Sequence, residues 1–297
     1  MTGSRRASFA LVAAAYAAAL AVGAGIFFAF PGLFVLWRLA AADGAATLMI
    51  WLASLRIRNA SVYDPYWSAA PPVLLAALML FEKRLDVPQL LLLIALLLWG
   101  VRLTANWARG FAGLSAQDWR YTKFEREQPR LWPLISLIGI QLMPTAIVFL
   151  AMLPALHTAL RPAAVRALTI PALLLAAASI WLESAADAQL RRFRADARNA
   201  GQVNARGLWG MSRHPNYLGE ILFWWGIYFM ALSMAPLPLT ALIGPVAVTV
   251  LFLFVSIPMM EKRQLSTKPG YRAYRQTAGM LLPRLRRRGD ESGSIIG

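Results

Sequence analysis

The chain has 297 residues, of which 59% are hydrophobic and 15% charged, with a formal net charge of +16. A soluble domain has no use for that much apolar surface. The lack of cysteine excludes disulfides, iron–sulfur clusters and thiolate ligation, and with only two histidines, His157 and His214, no protein-bound metal is expected.

In chain order, the candidate spans are 7–30, 39–56, 65–82, 87–107, 131–154, 165–186, 216–235 and 238–260. Each approaches the about 20 mostly apolar residues that cross a bilayer. The count is seven or eight, depending on how the N-terminal pair is read. Ser4-Arg5-Arg6 before an apolar run faintly resembles a twin-arginine signal, but the run exceeds a signal core and other spans follow, so 7–30 is read as a membrane helix. Gly23-Ala24-Gly25 lacks the third glycine of a dinucleotide fingerprint and reads as helix packing. The run 221–260 carries no charge, and Pro236 and Pro238 divide it into two helices. The expected fold is therefore an all-α polytopic bundle of seven to eight transmembrane helices. It forms one membrane domain, 1–285, followed by a charged, Gly/Ser-rich tail, 286–297, expected to be disordered.

The basic residues are distributed unevenly. With a cytoplasmic N-terminus, Arg5, Arg6, Arg56, Arg58 and those of segments 108–130, 187–215 and 261–297 share one side. Arg38, Lys83, Arg84 and Arg161 face the other, which is the positive-inside pattern. The charge then suits anionic lipid and a phosphorylated ligand rather than nucleic acid. The polar segments 57–64, 108–130, 187–215 and 261–297 all fall on the cytoplasmic side. Asp64, Arg102, Glu183, Asp187, Glu220 and Glu261 converge near one depth there, suggesting a water-accessible cavity. For Glu261 and Asp187, ordinary snorkelling of a helix-end charge also suffices.

The densest cluster is Gly207-Leu208-Trp209-Gly210-Met211-Ser212-Arg213-His214-Pro215-Asn216-Tyr217-Leu218-Gly219-Glu220, at the mouth of a span. An interfacial anchor would account for Arg213 and His214 but has no need of Asn216 and Glu220. Arg102, Asn106 and Arg109 recur at helical spacing on one face. Downstream lie Arg191, Arg192, Arg194, Arg198, Asn199, Asn204 and Arg206. Guanidinium forks suit phosphates, amides suit ribose, and aromatic rings can stack on a base. No Walker motif and no Gly-x-Ser-x-Gly elbow is present. A second cluster, Asn59-Ala60-Ser61-Val62-Tyr63-Asp64-Pro65-Tyr66-Trp67, sets a phenol beside a carboxyl at a membrane edge. Such a pair can polarise a carbonyl, while Asp64 before Pro65 equally resembles a helix N-cap.

These residues resemble the steroid 5α-reductase family, in particular its bacterial branch. The resemblance runs over about 99–284 and rests on Glu183 to Asp187, the Gly207-Leu208-Trp209 turn, Arg213 to Glu220, Pro269-Gly270-Tyr271-Arg272-Ala273-Tyr274, and Leu281-Leu282-Pro283. It implies an inner-membrane protein with its active site open to the cytoplasm. NADPH would donate a hydride to an enone lipid, typically a 3-oxo-Δ4 steroid. By position, Arg102, Asp187, Arg194, Asn216, Tyr217 and Glu220 would hold NADPH, with Asn106, Arg109, Arg191, Arg206, Trp209, Ser212, Arg213 and His214 around it. Asp64 would engage the substrate ketone with Tyr63 beside it, and Tyr66, Trp67, Trp99 and Phe223 would line the substrate. Pro71 fits this register. The animal enzymes carry Gln-Glu in place of Tyr63-Asp64 and a tyrosine in place of Trp99. The rival enzyme is a membrane methyltransferase of the isoprenylcysteine or phospholipid type, which binds S-adenosylmethionine with a similar Arg-His-Pro-x-Tyr run. That class follows the run with Glu-Glu, where this chain has Glu261-Lys262. A lipid-binding protein with a decayed site is the non-enzyme reading, and the intact Asp64, Arg102, Asn216, Tyr217 and Glu220 weigh against it.

Overall fold

The computed structural model describes residues 4–284, and the tail expected at 286–297 lies outside them. Among the described residues the fold is all helical, with no β-strand. The main helices are α1 (Arg5–Ala29), α2 (Val35–Ile57), α3 (Tyr66–Phe81), α4 (Val87–Gly110), α5 (Trp119–Glu127), α6 (Trp132–Ala159), α7 (Thr169–Ala195), α8 (Pro215–Met234), α9 (Leu239–Thr267) and α10 (Tyr271–Thr277). Seven of them, α1, α2, α4, α6, α7, α8 and α9, are long and apolar enough to cross a membrane, as befits an integral membrane protein. The candidate span 65–82 forms α3, whose 16 residues fall short of a bilayer's width.

Local sequence explains the helix ends. The Ser4 hydroxyl accepts the Ala7 amide to open α1. Phe30-Pro31-Gly32 closes it, so the N-terminal pair is two helices joined by a tight turn. α2 ends on Arg58 in the left-handed region, φ 57°. Pro88 sits in the first turn of α4, where its missing N–H costs nothing. α6 and α9 each contain a π-helical stretch, Ser136–Leu142 and Phe252–Ser256, each followed within two residues by a proline.

The described residues form two compact units, one of 4–173 and 226–248, the other of 174–225 and 249–284. In the first, α1 packs along α2, and a Cβ on Gly23 would meet the Ala42 carbonyl at 3.1 Å. The Gly23-Ala24-Gly25 stretch therefore does serve helix packing. α3 lies against α4 and α6, with the Ser68 and Thr104 hydroxyls 2.8 Å apart where α3 meets α4. At Gly244 an added Cβ would fall on the Leu150 carbonyl oxygen and the Ala151 Cα. Both are backbone atoms and cannot swing away. Gly244→Ala is expected to lower stability by about 1–3 kcal/mol, against about 0.5 kcal/mol or less for Gly25→Ala, where the space is open. Thermal unfolding of the two variants in one detergent measures the difference.

Candidate functional site

In the first unit a cavity of about 540 Å³ lies among α1, α2 and α3. Its walls are almost wholly apolar, including Ala19, Ala46, Ala70, Leu74 and Ala77. The exceptions are Tyr16, Asp43 and Tyr66. The Tyr66 hydroxyl donates to Asp43 Oδ1 at 2.7 Å, and both residues are buried. The Tyr66 ring is held edge-on to Tyr16, with centroids 5.8 Å apart, and tilted against Tyr63 at 5.7 Å. Tyr16 donates to the Val62 carbonyl at 2.9 Å. An ionisable group kept in an apolar span usually marks a site. Asp43 is visible in the sequence as the one acidic residue in 39–56, and that is the signal that could have found it.

Of the residues expected around the substrate, Tyr66 lines this cavity, and Trp67 borders a small adjoining void with Asp43 and Tyr66. Trp67 stands edge-on to the fully buried Trp99 at 6.0 Å. Tyr63 and Asp64 do not line the cavity. The Tyr63 hydroxyl pairs with Thr145 Oγ1 at 2.9 Å, which in turn meets Thr47 Oγ1 at 3.0 Å. Asp64 does not cap α3, which has no side-chain cap, but accepts from Tyr121 at 2.8 Å. Burial pushes the Asp64 carboxyl up to about 7, helped by the charge on Asp118 and opposed by the Tyr121 hydrogen bond and Arg120. Near neutral pH it is therefore a proton donor as much as a carboxylate. Tyr121 and Arg120 come from α5, where Arg120 also forks onto Asp118 at 2.9 and 3.2 Å. Asn59 ties this corner to the loop after α4, donating to the Leu114 and Ala116 carbonyls at 2.9 Å each. Arg102, Asn106 and Arg109 occupy the last turns of α4 in this unit, the first two partly buried and Arg109 exposed.

The second unit gathers the segments that carried the resemblance. The turn Leu208–Met211 begins at Gly207, φ 58°, and its Leu208 amide donates to Gln189 Oε1 at 2.9 Å. The Trp209 indole donates to the Ala186 carbonyl at 2.9 Å. Tyr274 of α10 gives its hydroxyl to the carbonyls of Trp209 and Ser212. The Arg213 amide donates to the Gly279 carbonyl at 2.8 Å, and Gly279 returns a bond to Met211 at 3.2 Å.

Glu261 sits at the centre. Its Oε1 accepts from Arg213 Nε at 2.7 Å and lies 3.4 Å from His214 Nε2, while Oε2 faces Arg275 Nε at 3.2 Å. Arg213 also donates to the carbonyls of Ala278 and Arg275. Glu261 is thus a clasp at 8% exposure, and the snorkelling read for it does not occur. Burial pushes the His214 imidazole down to about 4, with Arg213 assisting and Glu261 opposing, so it is neutral at pH 7. His214 stacks on Tyr217 at 5.3 Å and Tyr217 leans on Phe252 at 4.7 Å. Glu220 accepts from the Trp224 indole at 2.9 Å, and Phe223 is buried beside Trp224. Ser212 is buried, its hydroxyl donating to the Met280 carbonyl at 3.3 Å and accepting the His214 amide at 3.2 Å. Asn216 and Asp187 are partly exposed, while Arg191, Arg194 and Arg206 are exposed. The unit thus separates a frame of buried Ser212, His214 and Glu261 with the half-buried Arg213 from an accessible polar group.

An uncharacterized protein of Schizosaccharomyces pombe is 28% identical over 266 residues, covering 80% of this chain and 76% of its own length. No solved structure matches the chain. Residues 50–278 match the family described as "Protein of unknown function (DUF1295)". The chain belongs to this family, which includes steroid 5α-reductase-like membrane proteins.

Proposed function

We propose that the protein is a membrane-embedded NADPH-dependent reductase acting on the C=C bond of an enone lipid, a 3-oxo-Δ4 steroid being the model substrate, with its cofactor site open to the cytoplasm of a bacterial inner membrane. The observation that carries this reading is the apolar cavity whose polar lining is Tyr16 and the hydrogen-bonded Tyr66–Asp43 pair. A mostly apolar pocket with a few convergent polar groups suits a lipid that has one oxygen function to orient.

NADPH would supply the hydride delivered to the β-carbon. The accessible donors of the second unit fit its charge: Arg191, Arg194 and Arg206 suit phosphate, and Asn216 and Asp187 suit ribose and amide. Arg213 has a different task, because its guanidinium is committed to Glu261 and two carbonyls. In the first unit Asp43 holds the Tyr66 phenol in place until substrate arrives, and Tyr66 then turns its one proton from Asp43 to the carbonyl oxygen and stabilises the negative charge that grows there. The apolar walls keep water from the reacting carbons. That exclusion holds during hydride transfer; once water re-enters, the enolate takes a proton from it at the α-carbon, completing the reduction.

The shared Arg-His-Pro-x-Tyr run makes S-adenosylmethionine the competing cofactor, so one assay compares the two. Thermal unfolding of detergent-purified protein is followed with NADPH, NADH or S-adenosylmethionine. NADPH at about 100 times its Kd is expected to stabilise by about 2.7 kcal/mol. Asn216→Ala and Arg206→Ala should diminish that shift while leaving the unliganded melting temperature in place. Stabilisation by S-adenosylmethionine alone would overturn the reductase reading.

A further inference from the structure

Beside the cavity, and sharing Asp43 and Tyr66 with it, lies the void that Trp67 borders. It measures about 10 Å³, close to the least room that a water needs. α3 gives it Trp67 and Pro71, and α6 gives it Thr145 and Val148. Asp43 is 4% exposed and Thr145 7%. The Tyr66 hydroxyl occupies Asp43 Oδ1, and among the described residues Oδ2 has no hydrogen-bond partner. Oδ2 is not sealed off, so it fronts one of the two spaces that Asp43 lines. Pro71 lacks an N–H, so the Trp67 carbonyl is without the amide that would complete its helical turn. Thr145 Oγ1 lies 3.0 Å from Thr47 Oγ1 and 2.9 Å from the Tyr63 hydroxyl. Both of those hydroxyls can donate to it, which leaves the Thr145 proton for a third partner.

A carboxylate, a carbonyl and a hydroxyl around a water-sized space are the partners that a buried water requires. We propose that the void is the site of one bound water, which accepts from Thr145 and donates to Asp43 Oδ2 and to the Trp67 carbonyl. Its task follows from the single proton of the Tyr66 hydroxyl. When that proton turns to the substrate carbonyl, Asp43 gives up the hydrogen bond at Oδ1. A buried carboxylate left bare opposes such a turn. The water keeps a donor on Asp43 throughout, so the phenol is released to the oxyanion at less cost. The water's place rests on the void, while its task rests on the reductase reading.

Val148 lines the void but not the cavity, so the added methylene of Val148→Ile expels a water without touching the substrate walls. Thermal unfolding in phosphatidylcholine nanodiscs is measured for this change in the wild-type background and in Asp43→Val. In the wild type Val148→Ile is expected to lower the melting temperature by about 2–4 °C, because Asp43 loses a donor. In Asp43→Val, where no carboxylate remains, it should lower the temperature less or raise it. Thr145→Val, which keeps the shape and removes the anchoring hydroxyl, is a second background expected to behave like the first. Packing strain by itself shifts all backgrounds alike. Equal shifts would therefore overturn the water site, as would a rise in the wild type, the mark of a dry void being filled. For the task, turnover of a 3-oxo-Δ4 steroid with NADPH is followed in the same nanodiscs. Val148→Ile should lower kcat about tenfold and leave KM within about twofold, the pattern of a loss confined to the transition state. An unchanged kcat beside unequal thermal shifts would overturn the water's part in the reaction. No turnover by the wild type would overturn the reductase reading, and the task with it, while the thermal shifts still decide the site.

Discussion

Glu261→Ala is expected to destabilise the second unit by about 3–5 kcal/mol, because it leaves the guanidinium of Arg213 buried without its counter-ion. The two side chains are 11% and 10% exposed and meet at 2.7 Å, so solvent cannot take over the role of the carboxylate. Arg275, with 45% of its side chain exposed, adds little. His214 stays neutral with or without Glu261, since burial is the main cause of its low pKa. The loss should spread to α10, because Arg213 also donates to the Ala278 and Arg275 carbonyls, and Tyr274 to those of Trp209 and Ser212. Glu261→Gln, which keeps an acceptor for Arg213 but no charge, should fall between wild type and alanine. Thermal unfolding together with limited proteolysis after residue 260 measures this. An alanine variant within about 0.5 kcal/mol of wild type would show that the clasp is ornamental.

Tyr66→Phe is expected to lower kcat by about 10²–10³-fold with little change in KM, as for loss of a donor to a developing oxyanion. The ring should remain in place, packed on Tyr16 and Tyr63. Folding should also suffer by about 1–3 kcal/mol, because the Asp43 carboxyl loses its hydrogen bond in an apolar wall. The double variant Tyr66→Phe/Asp43→Leu separates the two effects. Removing both polar partners should restore much of the stability and none of the activity. Asp64→Asn should leave turnover within a few fold, since Asp64 bonds Tyr121 and does not line the cavity. Activity that survives Tyr66→Phe but collapses in Asp64→Asn would move the carbonyl site to the Asp64–Tyr121 corner.

Much of this architecture was legible in the chain. Runs of apolar residues located the helix starts to within four residues, while α6, α7 and α9 run five, nine and seven residues past the expected ends, and prolines marked the break between α8 and α9. The Arg213 to Glu220 run, the Gly207 turn and the Pro269 to Tyr274 segment were recognisable, and they do assemble in one unit. What periodicity could not show is who meets whom over long separations. Tyr121 reaches Asp64 across 57 residues, and Arg213 reaches Glu261 across 48. A carboxylate at a helix end reads as a snorkelling charge until its cations are located. Asp43 stands alone in its apolar run because its partner, Tyr66, is on another helix, and the resemblance offered Tyr66 only as a residue lining the substrate. The lesser length of α3 was itself legible, since Asp64 and Glu82 bracket its apolar run and leave 16 helical residues from Tyr66 to Phe81.

The central claim is that a hydride from NADPH ends on the carbon of a lipid enone. Membranes containing the protein are incubated with NADPH deuterated at nicotinamide C4 together with S-adenosylmethionine carrying a trideuteromethyl group, and extracted lipids are analysed by mass spectrometry. The account predicts lipids that gain a single deuteron at the carbon β to a carbonyl, with incorporation lost in Tyr66→Phe. Lipids that gain the trideuteromethyl group in a protein-dependent manner, with no single-deuteron product, would contradict it.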